Sequence, residues 1–356
     1  MNEVRSHLSP GWSRFHVHSS RARQLGLIVV AVLIFIVRGL QGSGYASTLI
    51  LTSMLFAITG LSVVLVTGLA GQISLTQVAM MGLSAYITGI LAGTSITAAG
   101  TQQAGLVHPG SSPSMSYLSA ALIAIAVTTV FGMLIGVPAL RIRGLHLALV
   151  SLALAYMLQV VLFSNGYVSA NLEDVSLARP PLLNSDTKFL WVAFGLLSLA
   201  CLTTRNLMRS SFGRALNAVR DSEVAASTVG LNVAVVKTLA FGISSLYAAV
   251  AGVLFIALTG NLGGAVLNLD VGRSLLLLGV VVIGGLRSVT GGVVAGLLFV
   301  HLPEWIADLA GPGYVPIVAG IGVIVLAIGL PEGLSGLPAR VFEFVQVRRS
   351  RTEVAA

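Results

Sequence analysis

The chain alternates between long apolar runs and short charged or Gly/Pro-rich breaks. A helix needs about 20 residues to cross about 30 Å of hydrocarbon. Ten nearly uncharged runs approach that length: Leu25–Leu40, Tyr45–Ala70, Leu75–Leu91, Tyr117–Leu140, Leu145–Phe163, Phe189–Thr204, Val233–Thr259, Ser274–Leu286, Thr290–Leu302 and Tyr314–Leu330. The eighth and ninth are short, and are either two crossings or one re-entrant hairpin. The pattern predicts an all-α fold, a polytopic transmembrane helix bundle of about 8–10 spans. Composition agrees: 9% of residues are charged, against about 25% in a soluble domain. The 40 glycines and 6% aromatics suit helices that approach closely through small side chains.

Basic residues gather in the cytoplasmic loops beside membrane spans. With the N-terminus inside, 16 of the 20 fall on the inner side, leaving Arg38, Arg179, Lys188 and Arg273 outside. Both termini are therefore expected to be cytoplasmic. This divides the chain into an N-terminal tail (1–24), a membrane domain (25–337) with a cytoplasmic loop at 205–236, and a C-terminal tail (338–356). Thr94–Ser116 and Ser164–Lys188 are expected outer loops. Arg21 and Arg23 before Leu25–Val37, with Gly44 and Ala46 beyond, also fit a cleavable signal peptide. The long N-tail and the closely following second run favour a retained span. The formal charge of +8 is a topology signal, because the basic residues lack the aromatic interleaving of a nucleic-acid surface.

Inventory removes most chemistry. Neither lysine, Lys188 or Lys237, follows a glycine, so the Gly-Lys phosphate cradle of an ATPase is missing. His16 and His18 have no acidic or thiol partner nearby, and no HExxH or CxxC motif occurs, so no metal site is expected. Cys201, the single cysteine, reads as a small apolar core residue. Paired catalytic groups facing the bundle are not found, which argues against a membrane-embedded enzyme. Ion-coupled carriers keep ionisable groups within their spans. Here His146 and Lys237 lie near span ends, where snorkelling accounts for them, so any transport must draw its energy from elsewhere.

Ser211–Asn232 is too polar to cross but has helix grammar. Ser210 or Ser211 caps its start, and Gly230 ends it in a left-handed turn. Ala215, Leu216, Val219, Ala226 and Val229 recur at helical spacing. Arg214 and Arg220 balance Asp221 and Glu223, whereas helices lying on lipid are usually net basic, so the segment is expected to dock on protein. Two glycine-interrupted stretches, Gly68–Gly82 and Gly279–Gly296, lie in opposite halves of the chain. Such breaks expose backbone groups that can line a solute pathway, with Gly71, Gln72, Ser74, Gly284 and Gly285 as its candidates. The alternative is that these glycines only let helices pack closely.

Four stretches resemble the branched-chain amino acid permease subunits of ABC importers. Gly68-Leu-Ala-Gly-Gln-Ile-Ser-Leu75, with Gly82 and Ala85-Tyr86 behind it, is similar to the family's Gly-x-Ala-Gly-Gln-x-Ser-Leu signature. Leu140-Arg-Ile-Arg-Gly-Leu145 resembles the R-x-R-G element of the M-type subunit in the heterodimeric permease. Phe212-Gly-Arg-Ala-Leu216, Ala218-Val-Arg-Asp221, Ala225-Ala226 and Gly230-Leu-Asn232 resemble its cytoplasmic loop. Gly284-Gly-Leu286, Gly291-Gly292, Pro331 and Gly333-Leu334 resemble its C-terminal signatures. Thr76 stands where the family usually has Gly, and Arg287 in a turn that usually holds small residues.

The resemblance implies a multi-pass permease of the bacterial plasma (inner) membrane, importing branched-chain amino acids. It implies two separate ATP-binding subunits that carry the ATP and Mg, leaving no cofactor in this chain. A second permease subunit, a periplasmic or lipid-anchored solute-binding protein and membrane lipid complete the partners; nucleic acid is not among them. Arg214, Ala215, Leu216, Val219, Arg220, Asp221, Glu223, Ala226 and Gly230 would form the segment that couples to the ATPase. Related permeases for urea, short amides or sugars, and a passive channel, are the competing expectations.

Overall fold

The computed structural model describes residues 44–92, 94–95, 115–137, 144–163, 175–177, 179–180, 183–263, 269–314, 317–318 and 320–322. The expected span Leu25–Leu40, most of Tyr314–Leu330, both tails, and Arg141 and Arg143 lie outside these residues. Ten helices follow one another: α1 (Gly44–Val63), α2 (Gln77–Ala92), α3 (Tyr117–Gly136), α4 (Leu145–Leu158), α5 (Asp186–Arg209), α6 (Ser211–Asp221), α7 (Glu223–Thr228), α8 (Val233–Thr259), α9 (Val271–Gly284) and α10 (Val289–Ala310). Wider π-helical turns extend α1 through Val64–Leu69 and α4 through Gln159–Phe163. A two-residue antiparallel pair joins Thr94–Ser95 to Val175–Ser176.

Eight of these helices are apolar, and five are long enough to cross a membrane: 44–69, 117–136, 186–209, 233–259 and 289–309. The chain is thus a polytopic membrane bundle. Its outward faces are apolar too: Leu118, Leu122, Val130 and Leu134 stand exposed along α3. A helix that is hydrophobic all round needs lipid or protein about it.

The centre is built by α1 and α8. α1 packs against α10, α8 and α5, while α8 packs also against α3 and α2. Phe56 on α1 meets Phe299 of α10 at 4.4 Å between ring centroids and Phe255 of α8 at 6.1 Å. Backbones approach through glycine: a Cβ on Gly296 would overlap the backbone of Ala57, and one on Gly252 the Met81 carbonyl. Small-residue packing therefore accounts for Gly292 and Gly296 in the second glycine-rich stretch.

The pattern places α8 to the residue, because both ends carry their own stop signals. Asn232 Oδ1 accepts from Val235 N at 3.2 Å, and Gly260 closes the helix at φ 68°. Two helices run longer than the pattern predicts. α5 has 24 residues and α10 has 22, since a polar residue or a proline interrupts hydropathy without ending a helix. Pro303 inside α10 removes only one backbone hydrogen bond. The ninth run is consequently long enough to cross, whereas the eighth, α9, has 14 residues and spans about 21 Å.

Candidate functional site

The first glycine-rich stretch is a break between α1 and α2. α1 widens into its π-helical turn and Gly71 then reverses the chain at φ 67°, a backbone region that favours glycine. The six residues Gly71–Thr76 leading to α2 are non-helical, and their polar groups turn inward. Ser74 Oγ and Thr76 Oγ1 are 2.9 Å apart, and Gln77 Nε2 donates to Ser74 Oγ at 3.4 Å. Ser62 Oγ donates to Gln77 Oε1 at 3.3 Å, Leu75 N to Ser151 Oγ at 3.1 Å, and Ser244 Oγ to the Ser62 carbonyl at 3.0 Å. All six of these side-chain-bearing residues are buried. Thr76, in place of the family's usual glycine, is absorbed into this network. Gln72 is buried as well, yet its Oε1 has no hydrogen-bond partner, a costly state for a buried acceptor.

The 211–232 segment forms two helices where the pattern predicts one. Ser210 Oγ caps α6, accepting from Gly213 N at 3.2 Å, and Gly213 sits so close to α5 that a Cβ would overlap the Leu207 carbonyl. The break falls at Ser222, extended at φ −159° and ψ 113°, whose Oγ accepts from Ala225 N at 3.2 Å and so caps α7. A serine that bonds the backbone ahead of it competes with continuing the helix. α7 ends as expected: Gly230 is left-handed at φ 82°, Leu231 N bonds the Ala226 carbonyl and Gly230 N the Ser227 carbonyl, both at 3.1 Å. This is the paired closure of a Schellman turn.

The apolar face of this segment lies on the bundle itself. Leu216, Val219 and Ala226 are buried in the core, Ala215 is half-buried, and Val229, predicted on the same face, is 76% exposed because the Ser222 break turns α7. Arg214, Asp221, Val224, Ser227 and Thr228 are exposed with it.

Two side chains tie the segment down. Arg220 Nη1 donates to the Gly68 carbonyl at 3.1 Å, while its Nε and Nη2 reach Asp221 Oδ1 at 3.3 and 3.0 Å. The stem of Arg220 lies so close to Gly71 that a Cβ there would overlap its Cγ. Glu223 Oε1 pairs with Lys237 Nζ at 2.7 Å, with Lys237 only 2% exposed. Lys237 is thus an ion-paired core residue and not the snorkelling side chain its position predicts. A pocket of about 250 Å³ lies between the two tethers, lined among others by Gly71, Gln72, Gly144, Arg220, Ser222, Glu223 and Lys237.

The second glycine-rich stretch meets the first. Gly285, at φ 115°, starts the turn from α9 to α10, Gly284 and Gly285 are buried, and a Cβ on Gly68 would overlap the Leu286 carbonyl. Arg287 is exposed, so its length leaves this turn undisturbed. The structure therefore brings Gly71, Gln72, Arg220, Asp221 and Glu223 around one pocket, with Gly284 and Gly285 a short backbone contact away. Arg214 and Gly230 stand apart at the surface. Sequence pattern does not single out Ser62, Ser151 or Ser244; polar residues in otherwise apolar runs are the available signal. Nor does it find the ionisable residues of α10, where Glu304 accepts from Tyr45 of α1 at 2.9 Å and His301 lies 3.5 Å from Ser53.

Known proteins resemble this chain along most of its length. It is 27% identical to the high-affinity branched-chain amino acid transport system permease protein LivM of Salmonella typhimurium, over 79% of this chain and 68% of that protein. The LivM protein of Escherichia coli is 26% identical over the same shares. The autoinducer 2 import system permease protein LsrC of Yersinia enterocolitica is 24% identical over 52% of this chain and 56% of that protein. No solved structure matches. The profile of the family described as branched-chain amino acid transport system, permease component, matches residues 45–328; with the bundle and its two glycine-rich breaks, that places this chain in the family.

Proposed function

We propose that this chain is the M-type permease subunit of an ATP-binding cassette importer for branched-chain amino acids, in a bacterial inner membrane. Two separate ATP-binding subunits drive it, a second permease subunit completes the pathway, and a solute-binding protein delivers the cargo. The observation that carries the reading is the α6–α7 segment: a short helical pair seated on the bundle by Leu216, Val219 and Ala226 while Arg214, Asp221, Val224 and Val229 face outward. Such a pair presents a ready surface to a partner and transmits force inward because its other side is packed. Ordinary monomer surfaces seldom carry large apolar side chains grouped beside charges without a partner.

Placing a carboxylate in that surface, as Val224→Asp with Val229→Asp, is expected to lower recovery of the ATP-binding subunits by about tenfold or more, as for loss of an interface anchor. Affinity purification of the full complex measures it, and undiminished recovery counts against this docking surface. ATP-dependent leucine uptake in vesicles tests the reading as a whole. Flux without nucleotide would make the chain a channel, and competition by urea, a short amide or a sugar instead of leucine would assign another cargo.

Gln72 and Ser74 line the proposed solute path, with Gly71, Gly284 and Gly285 keeping the backbone accessible. Gln72→Leu removes an unpartnered buried oxygen, so the variant is expected to unfold no more easily, and to gain up to about 1 kcal/mol. Its uptake KM should nonetheless rise several-fold. Unchanged kinetics would remove Gln72 from the path.

A further inference from the structure

We propose that Arg220 is a positioning residue for transport, the one side chain through which displacement of the α6–α7 segment is delivered to both glycine-rich breaks. The inference rests on the importer reading above and names the transmission within it. Arg220 touches the first break twice, by its 3.1 Å hydrogen bond to the Gly68 carbonyl and by its stem against Gly71. Gly68 in turn is in backbone contact with Leu286, the residue following Gly284 and Gly285. One guanidinium therefore sits a single residue away from both places where the bundle's helices are interrupted.

The second tether explains why such a push is not simply shared by the whole segment. Glu223 holds α7 to α8 through Lys237 at 2.7 Å, whereas Arg220 holds α6 to the end of α1. Between them stands Ser222 in an extended conformation, so the two halves are fixed to different helices with a non-helical residue in the middle. Force on α6 then acts on the α1 end and the α9–α10 turn relative to α8, a shear between packed elements. Arginine suits this position because its rigid fork bonds the Gly68 carbonyl and Asp221 together, which the point charge of lysine does not. Gly71 suits it because any Cβ would displace the Arg220 stem.

The test uses the complete complex in liposomes, with its ATP-binding subunits and solute receptor, and reads leucine moved per ATP hydrolysed. Arg220→Ala, Arg220→Lys and Gly71→Ala are each expected to lower that ratio by about tenfold, within the range seen for residues that carry coupling. Arg220→Ala with Gly71→Ala should be no worse than either alone, because both remove one contact. Should Arg220→Ala not assemble, Arg220→Lys decides, since it keeps charge and much of the stem. An unchanged ratio in Arg220→Lys and Gly71→Ala, a lower unfolding temperature with the ratio intact, or fully additive losses would each overturn the proposal. The importer reading fails separately, if the wild-type complex shows no ATP-dependent uptake.

Discussion

Gly68→Ala is expected to destabilise the bundle by about 3 kcal/mol or more, because the added methyl meets backbone and not a movable side chain. The Leu286 carbonyl occupies the space a Cβ would need, with the Leu286 carbonyl carbon close behind it. Relief requires α1 to part from the α9–α10 turn, and those elements are also held at Gly60 against the Gly292 carbonyl and at Gly296 against Ala57. A shift at one point therefore loosens a whole seam. Gly195 on α5 is the control, having nothing within 4 Å of its would-be Cβ. Gly195→Ala should be neutral or stabilising by up to about 1 kcal/mol through helix propensity. Thermal unfolding of the two variants in detergent separates the cases, and equal midpoints would mean the Gly68–Leu286 approach is unimportant.

Glu223→Ala carries the next largest expected cost. It takes the carboxylate away from Lys237, which is 2% exposed, and removing one partner of a buried pair costs about 3–5 kcal/mol. The Glu223 side chain is 21% exposed, so water screens part of the pair and about 2–3 kcal/mol is the expected loss. Combining Glu223→Ala with Lys237→Met should recover most of it, since an apolar stem in that site leaves no ammonium seeking a partner. A double-mutant cycle on unfolding free energies reads the coupling directly. Strict additivity of the two single changes would show that the pair contributes nothing.

How far the sequence foretold this molecule depends on whether the signal was local. α8 was legible end to end because Asn232 and Gly260 bracket an unbroken apolar run. α10 was cut short at Leu302 because Pro303 and Glu304 interrupt hydropathy, although neither stops a helix already held by its neighbours. The capping role of Ser210 and the left-handed Gly230 were readable from residue type alone. The kink at Ser222 was not, since serine inside a helical pattern is ordinary and only its hydrogen bond to Ala225 shows the choice made. Least legible was the meeting of Gly71 with Arg220, and of Gly68 with Leu286. Each motif carries its own signature, but nothing local records that residues so far apart along the chain share one pocket. The snorkelling assignment of Lys237 failed for the same reason, as its partner Glu223 lies across a turn and a helix break.

The widened turn at Val64–Leu69 has a bearing on how the chain tolerates change in length. It accommodates one residue more per turn than the regular coil before it, so it acts as a phase shifter between α1 and everything downstream. Were a residue lost there, the coil would close to its usual pitch and the following atoms would rotate by about 100° about the axis. Gly68 would then face away from Leu286 and the reversal at Gly71 would point elsewhere. Azimuth, and with it the alignment of both interruptions, is thus stored as a surplus residue in a single loop of backbone.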